Sequence, residues 1–109
     1  MKRKRLLFIC TANLQRSPTA EGLFKGSSRY EARSAGIHPL AARRVDQRLV
    51  DWADVIFVFS NGHAEHLKKR FDMVGKPVYN LDVADTYEKD DPRLVQLLKR
   101  KLSRFIELR

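Results

Sequence analysis

Residues 5–18 have the sequence RLLFICTANLQRSP, in which a short apolar run leads into a polar loop and then into Ser-Pro. The run from Arg5 to Cys10 has the length and composition of a buried strand. Pro18 to Lys25 is predicted to form a helix, because Ser17 is a favourable N-cap, proline is favoured in the first turn and Gly26 is a favourable stop. A strand followed at once by a helix is typical of an α/β fold.

The rest of the chain continues this alternation. Further strands are predicted over three segments: Tyr30–Ser34, Val55–Phe59 and Pro77–Leu81. Further helices are predicted over Val45–Trp52, from Ser60 or Asn61 to about Phe71, and from Pro92 onward with an apolar face of Leu94, Leu97, Leu98, Leu102, Phe105 and Ile106. The predicted fold class is therefore α/β, a three-layer sandwich with a four-stranded parallel sheet and helices on both faces. We expect residues 1–109 to form a single domain, because this length suffices for one core and no linker-like segment interrupts it.

Composition narrows the class of protein. Hydrophobic residues make up 43% and charged residues 32% of the chain, and no apolar run reaches the roughly 18 residues that a membrane span needs. The apolar stretch from Leu6 to Cys10 is also shorter than a secretory signal core, which spans about 7–15 residues. With one cysteine the chain can form neither an internal disulfide nor a CxxC centre. We therefore expect a cytoplasmic protein with no membrane partner.

The segment from Cys10 to Ser17 carries the chemistry. A cysteine ends the buried strand, five residues follow, and Arg16 precedes the helix. The N–H groups of such a loop favour an anion at one spot, and the same field favours the thiolate form of Cys10. Arg16 can hold two phosphoryl oxygens, Ser17 can donate its hydroxyl to the thiolate, and Asn13 tolerates a left-handed backbone. These features predict a phosphate-binding loop after strand 1.

Each of these residues also has a simpler explanation. Cys10 could be a buried structural cysteine, Arg16 a surface charge, and Ser17-Pro18 only a helix start. The combination of all three features directly after a strand favours the functional interpretation.

The loop and several later segments resemble the low-molecular-weight protein tyrosine phosphatase family. The C-x5-R-S-P signature and the following helix with Ala and Glu cover Cys10 to Glu21. The similarity continues in four segments: Ser34-Ala35-Gly36, Ala42-Arg43, Trp52–Phe57 and Val83-Ala84-Asp85-Thr86-Tyr87. It extends over nearly the whole chain, which is shorter than usual family members between Gly36 and Ala42.

The resemblance implies Cys10 as nucleophile, Arg16 as transition-state clamp and Asp85 as general acid, with no metal and no cofactor. Supporting hydrogen bonds are implied for Asn13, Ser17 and Ser34. The substrate-binding residues that we predict are Thr11, Ala12, Asn13, Leu14, Gln15, Ser17 and Tyr87. Gln15 stands where the family usually has a second loop cysteine, and both prolines of its acid loop are replaced.

The acidic loop from Asp82 to Asp91 leaves alternatives open. From the residues alone, Asp82 rivals Asp85 as the acid because it ends a strand, whereas Asp90 and Asp91 are expected to cap the final helix. The segment could also be only a solvated acidic loop. Tyr87 is interpreted equally as a surface along an aryl substrate and as a partly buried anchor of the loop.

The histidines and the positive charge are both expected mainly at the solvated surface of the protein. His63 and His66 are expected on a solvated helix face, since no partner with metal-ligand spacing accompanies them. The net charge of +9 is interpreted first as a solvated surface, and otherwise as attraction to anionic substrates or as a nucleic-acid or membrane-surface role. Nucleic acid is not the partner we expect.

The predicted function is hydrolysis of phosphomonoesters through a phosphocysteine. The substrate would be a phosphotyrosine protein or a small aryl phosphate, and the product inorganic phosphate. Two alternatives remain. Arsenate reduction on the same scaffold would need an external thiol, because the chain has no second cysteine, and a non-catalytic module for phosphate or nucleic acid is favoured only by the charge.

Overall fold

Strands and helices alternate along the chain in the computed structural model, which describes residues 2–108. The strands are β1 (Lys4–Cys10), β2 (Tyr30–Gly36), β3 (Val55–Val58) and β4 (Val78–Asn80). The helices are α1 (Arg16–Gly22), α2 (Gln47–Trp52), α3 (Asn61–Arg70) and α4 (Pro92–Leu102). Neighbouring strands are parallel and follow the order β2-β1-β3-β4 across the sheet. The predicted fold class is confirmed.

The central strand β1 separates two hydrophobic cores. Leu6 and Phe8 belong to the core that lies under α1 and α4, and the Phe8 ring is 5.3 Å from that of Phe57. Leu7 and Ile9 belong to the second core, under α2 and α3. All four β1 side chains are fully buried, and each such burial stabilises the fold by about 1.5–3 kcal/mol. Because alternate residues face opposite layers, an uninterrupted apolar run is what a central parallel strand needs.

The strand order places the end of β1 at a reversal in the sheet. The chain passes from β1 to β2 on one side, and β3 then pairs with the other side of β1. The register sets Cys10 opposite Gly36 and Ile9 opposite Val58, so the carboxyl ends of three strands meet there. Ligands of open parallel sheets bind at such a point.

The predicted start of α1 is wrong. The helix begins at Arg16, its N-cap is Gln15 without a side-chain cap, and Ser17 lies inside the first turn. The Ser17 hydroxyl is instead in hydrogen-bond contact with the Cys10 sulfur. The helix also ends earlier than predicted, at Gly22, and Gly26 adopts a φ of 79° in the turn that follows.

The ends of two other helices differ from the prediction as well. Helix α2 begins later, because the Asp46 carboxylate accepts a hydrogen bond from the Leu49 N–H at 2.9 Å and so caps the helix. Helix α4 begins as predicted but ends at Leu102. Phe105 therefore lies beyond the helix, where its ring stacks on Tyr79 with centroids 4.6 Å apart.

Within residues 2–108, no helix is long and apolar enough to cross a membrane.

Candidate active site

The loop between β1 and α1 turns tightly around the Cys10 sulfur. Asn13 has the left-handed backbone that its residue type allows, with a φ of 57°. This turn directs the Asn13 backbone N–H to Cys10 Sγ at 3.3 Å. A backbone donor aimed at the sulfur favours negative charge there, whether on the thiolate or on a phosphoryl group above it.

Cys10 itself is held at the base of the loop. Its side chain is 3% exposed, and Sγ lies 2.9 Å from Ser17 Oγ. Ser17 Oγ accepts a hydrogen bond from Asn13 Nδ2 at 2.9 Å, so its own proton is available to the sulfur. The alternative acceptor, the Ala35 carbonyl, is more distant at 3.5 Å. Ser17 is thus oriented to stabilise a Cys10 thiolate.

A polar network supports the loop from below. The two Asn13 Nδ2 hydrogens go to Ser17 Oγ and to Ser34 Oγ, each at 2.9 Å. Ser34 in turn donates to Glu21 Oε1 at 2.7 Å. The structure therefore brings together the three residues predicted to give support, and it adds Glu21, for which the sequence predicts a place in the helix after the loop but no role in the site. Complete hydrogen bonding makes such a buried network rigid.

Arg16 is the first residue of α1, and its buried guanidinium contacts the segment after β4 and the Phe59 ring. The side chain is 7% exposed, its Nη1 donates to the Val83 carbonyl at 2.9 Å, and its guanidinium lies 5.7 Å from the Phe59 ring centroid. These contacts fix the plane of the guanidinium. A fixed planar donor is suited to holding two oxygens of a phosphoryl group.

Of the two rival acids, Asp85 is the one beside Arg16. Asp85 Oδ1 is 3.8 Å from Arg16 Nε, and the Asp85 side chain is 58% exposed, so it can reach a ligand in the loop. Asp82 lies on a left-handed turn with a φ of 53°, and within the described residues it forms no ion pair with Arg16. Asp91 caps α4 as predicted, whereas Asp90 does not cap and instead donates its N–H to Thr19 Oγ1.

The prediction for His63 is wrong. Its ring is buried against the phosphate loop, 3% exposed, with Nε2 3.0 Å from Thr11 Oγ1. Nδ1 accepts a hydrogen bond from the Phe59 N–H at 3.2 Å, which leaves the ring proton on Nε2 as a donor to Thr11. Burial, and then the positive charge of Arg16, lower the pKa of His63 to about 4. No local sequence signal indicates this contact between His63 and Thr11. His66, which was expected on the same solvated face, is half-buried.

The shortened segment after β2 packs along the loop. Ile37, His38 and Ala42 donate backbone hydrogen bonds to three consecutive loop carbonyls, at 3.0 Å each. Gly36 allows this close approach, because a Cβ there would lie 2.5 Å from the carbonyl oxygen of Thr11. The segment thus forms the back wall of the loop.

The remaining predicted binding residues differ in exposure. Leu14 is 60% exposed at the loop tip, while Thr11, Ala12 and Gln15 are half-buried. Tyr87 is partly buried against the core that contains Phe8, and Arg93 lies over its ring at 5.9 Å. These contacts favour the interpretation of Tyr87 as an anchor of the acidic loop.

Among residues 2–108, no group of three or more His, Cys, Asp or Glu side chains is placed to hold a metal ion.

Residues 5–52 match the family model described as low molecular weight phosphotyrosine protein phosphatase. The resemblance to this family is confirmed. The matched residues include Cys10, Arg16 and Ser34, whereas Asp85 lies outside the match. The comparison with curated proteins finds no match.

Solved structures of phosphatases share the fold. The tyrosine phosphatase Wzb from Escherichia coli K30, in complex with phosphate, has a TM-score of 0.75 and 20% identity, over 95% of this chain and 96% of the other. A low molecular weight protein tyrosine phosphatase from T. tengcongensis has a TM-score of 0.71 and 20% identity, over 92% and 93%. The YwlE arginine phosphatase from Geobacillus stearothermophilus has a TM-score of 0.72 and 21% identity, over 92% and 86%. These likenesses establish the fold.

Proposed function

We propose that this protein hydrolyses phosphomonoesters, with a protein phosphotyrosine or another aryl phosphate as substrate. The observation that carries the proposal is one arrangement of three side chains. The Cys10 sulfur accepts a backbone N–H of the loop, the buried Arg16 guanidinium is fixed by the Val83 carbonyl, and Asp85 lies 3.8 Å from Arg16. This arrangement supplies a nucleophile, a clamp for phosphoryl oxygens and an acid for the leaving group.

In the first step, the Cys10 thiolate attacks phosphorus and the bond from phosphorus to the ester oxygen breaks. Asp85 gives its proton to the departing oxygen, which leaves as an alcohol or phenol. The negative charge on the phosphoryl oxygens is stabilised by Arg16 and by the loop N–H groups. The product on the protein is a phosphocysteine.

In the second step, water attacks the same phosphorus while the Asp85 carboxylate accepts its proton. The sulfur–phosphorus bond breaks, inorganic phosphate leaves, and Cys10 returns to the thiolate. The Ser17 hydroxyl, 2.9 Å from the sulfur, stabilises the thiolate as leaving group. No second cysteine is present to accept oxidising equivalents, so arsenate reduction is not favoured.

The setting in which we place this chemistry is the cytoplasm, because a reactive lone cysteine is kept reduced there. We propose that residues 1–109 act as one domain on a phosphorylated protein or a small aryl phosphate. Nucleic acid and membranes are not among the partners we propose.

The test is turnover of an aryl phosphate by the wild-type protein and by Cys10→Ser. We expect Cys10→Ser to lose turnover while it retains binding of inorganic phosphate, since the loop is unchanged. Phosphate should inhibit the wild type competitively, and EDTA should leave the rate unchanged because Arg16 and the loop supply the positive field. Turnover by Cys10→Ser, or loss of activity on chelation that a metal restores, would contradict the mechanism. Because one structural relative is named an arginine phosphatase, phosphoarginine is the second substrate to compare.

A further inference from the structure

A groove rich in arginine lies beside helix α2. It has a volume of about 250 Å³ and is lined by these residues: Arg33, Arg43, Arg44, Asp46, Arg48 and Leu49. Four of the six are arginines and one is acidic, so the groove carries a net positive charge. We call this surface the arginine groove.

Most of this charge is not engaged within the protein. Arg43, Arg44 and Arg48 are exposed, and among residues 2–108 none of the three forms an ion pair. The Asp46 carboxylate is occupied by its role as the cap of α2. Positive charges that share one groove repel each other and make its electrostatic potential positive, and an anionic ligand would reduce this repulsion.

Arg33 gives the groove a rigid wall. Its guanidinium lies over the Trp52 ring, 4.3 Å from the centroid, and its Nη2 is 3.7 Å from the Glu31 carboxylate. A guanidinium that is stacked in this way leaves the edge N–H groups that do not face Glu31 available to a ligand, and it loses little freedom on binding.

The arginine groove shares Arg43 with a second cleft that borders the phosphate loop. Arg43 also lines a neighbouring cleft of about 420 Å³, together with Leu14 of the loop tip, Lys89 and Glu21. The Arg43 backbone is anchored, since its carbonyl accepts the Gly36 N–H at 2.8 Å. Arg43 and Lys89 outnumber the single carboxylate of Glu21 in this cleft, so its formal charge is positive. Leu14 and Arg43 line the same cleft, so a peptide that left the loop over Leu14 would meet Arg43.

We propose that the arginine groove docks acidic side chains that flank the phosphorylated residue of a protein substrate. The inference rests on the proposed phosphatase function and narrows its substrate class to phosphoproteins with Asp or Glu near the phosphate. Arginine pairs with carboxylates through two parallel N–H donors. An extended peptide advances about 3.3 Å per residue, so a flank of a few residues reaches from the loop into the groove. No aromatic ring is among the residues that line the groove, and the stacking that single-stranded nucleic acids use is therefore missing there.

The experiment compares two phosphotyrosine peptides of equal length, one flanked by Glu and the other by Gln. We expect the wild type to prefer the Glu peptide about tenfold in kcat/KM, which corresponds to about 1.4 kcal/mol. The triple substitution Arg43→Gln, Arg44→Gln and Arg48→Gln should reduce this preference to less than about twofold, and high salt should do the same. The preference, being a ratio within one variant, is independent of that variant's basal rate.

The matched control removes the same charge elsewhere. Lys25→Gln, Lys99→Gln and Arg104→Gln alter exposed cations on the side of the sheet that carries α1 and α4. This control should keep the tenfold preference. If both triple variants lost the preference for the Glu peptide equally, net charge alone would explain it and the docking site would be overturned. A wild type that hydrolyses the two peptides equally well would also overturn it.

Binding to Cys10→Ser separates this inference from the catalytic proposal. Fluorescence anisotropy of the labelled peptides needs no turnover, so a protein that fails to hydrolyse them still tests the groove. Tighter binding of the Glu peptide that disappears with the arginine substitutions supports docking even then. Tighter binding of a single-stranded DNA oligonucleotide than of the Glu peptide, lost with the same three arginines, would overturn the proposal in favour of a nucleic-acid site.

Discussion

The buried His63 should make the stability of the fold depend on pH. In the unfolded chain its pKa is the ordinary 6.5, whereas burial and the neighbouring Arg16 lower it to about 4 in the folded protein. Between these values the unfolded state binds more protons, so the folded state loses stability as the pH falls from above 6.5 towards 4. With partial solvent screening around the ring, the loss between pH 7.5 and pH 5 should be about 1–2 kcal/mol.

The measurement is urea unfolding of the wild type and of His63→Gln at both pH values. Glutamine does not titrate, and its amide can still donate to Thr11. At pH 7.5 we expect His63→Gln to be less stable by about 1–3 kcal/mol, because the Phe59 N–H loses its acceptor. Its further loss at pH 5 should be smaller than that of the wild type by the predicted 1–2 kcal/mol. His66→Gln is the matched control, since His66 is half-buried on the same helix and its pKa is lowered by burial and then by the positive charge of Arg70. If His63→Gln lost as much stability on acidification as the wild type, His63 would not be the group held neutral by burial.

The remaining predictions concern the acid, the back wall and the thiol. Asp85→Asn should lower kcat by roughly 10²–10⁴ for esters with poor leaving groups and by less for good ones, and a larger loss in Asp82→Asn would reassign the acid. Gly36→Ala should lower the free energy of unfolding by about 1–3 kcal/mol or more and reduce turnover, because the new methyl group overlaps the loop backbone. Thermal unfolding compared with Gly22→Ala, where a Cβ meets nothing within 4 Å, tests this, and equal stability of the two variants would contradict it. Peroxide without added thiol should inactivate the protein irreversibly, since the chain has no second cysteine to trap the sulfenic acid of Cys10. Activity and intact mass are measured after dithiothreitol is added, and full recovery of activity would contradict this prediction.

The fold and the centre of the site could be predicted from the sequence because their signals are local. The apolar run from Leu6 to Cys10 indicates a strand buried on both faces, and the Cys-x5-Arg spacing places two reactive side chains on one short loop. The left-handed Asn13 follows from its residue type in the same way. Such features depend on residues that are close together in the sequence, so the sequence alone is enough to predict them.

Tertiary structure decided what depends on residues far apart in the chain. Arg16 is fixed by the Val83 carbonyl, 67 positions away, and Thr11 by His63, 52 positions away. The same separation explains why the sequence left Asp82 and Asp85 as rivals. Only the folded acidic loop sets one of them 3.8 Å from Arg16. Composition and spacing carry no information on such contacts, because the packing of β3, α3 and the loop after β4 against the phosphate loop determines which distant side chains meet.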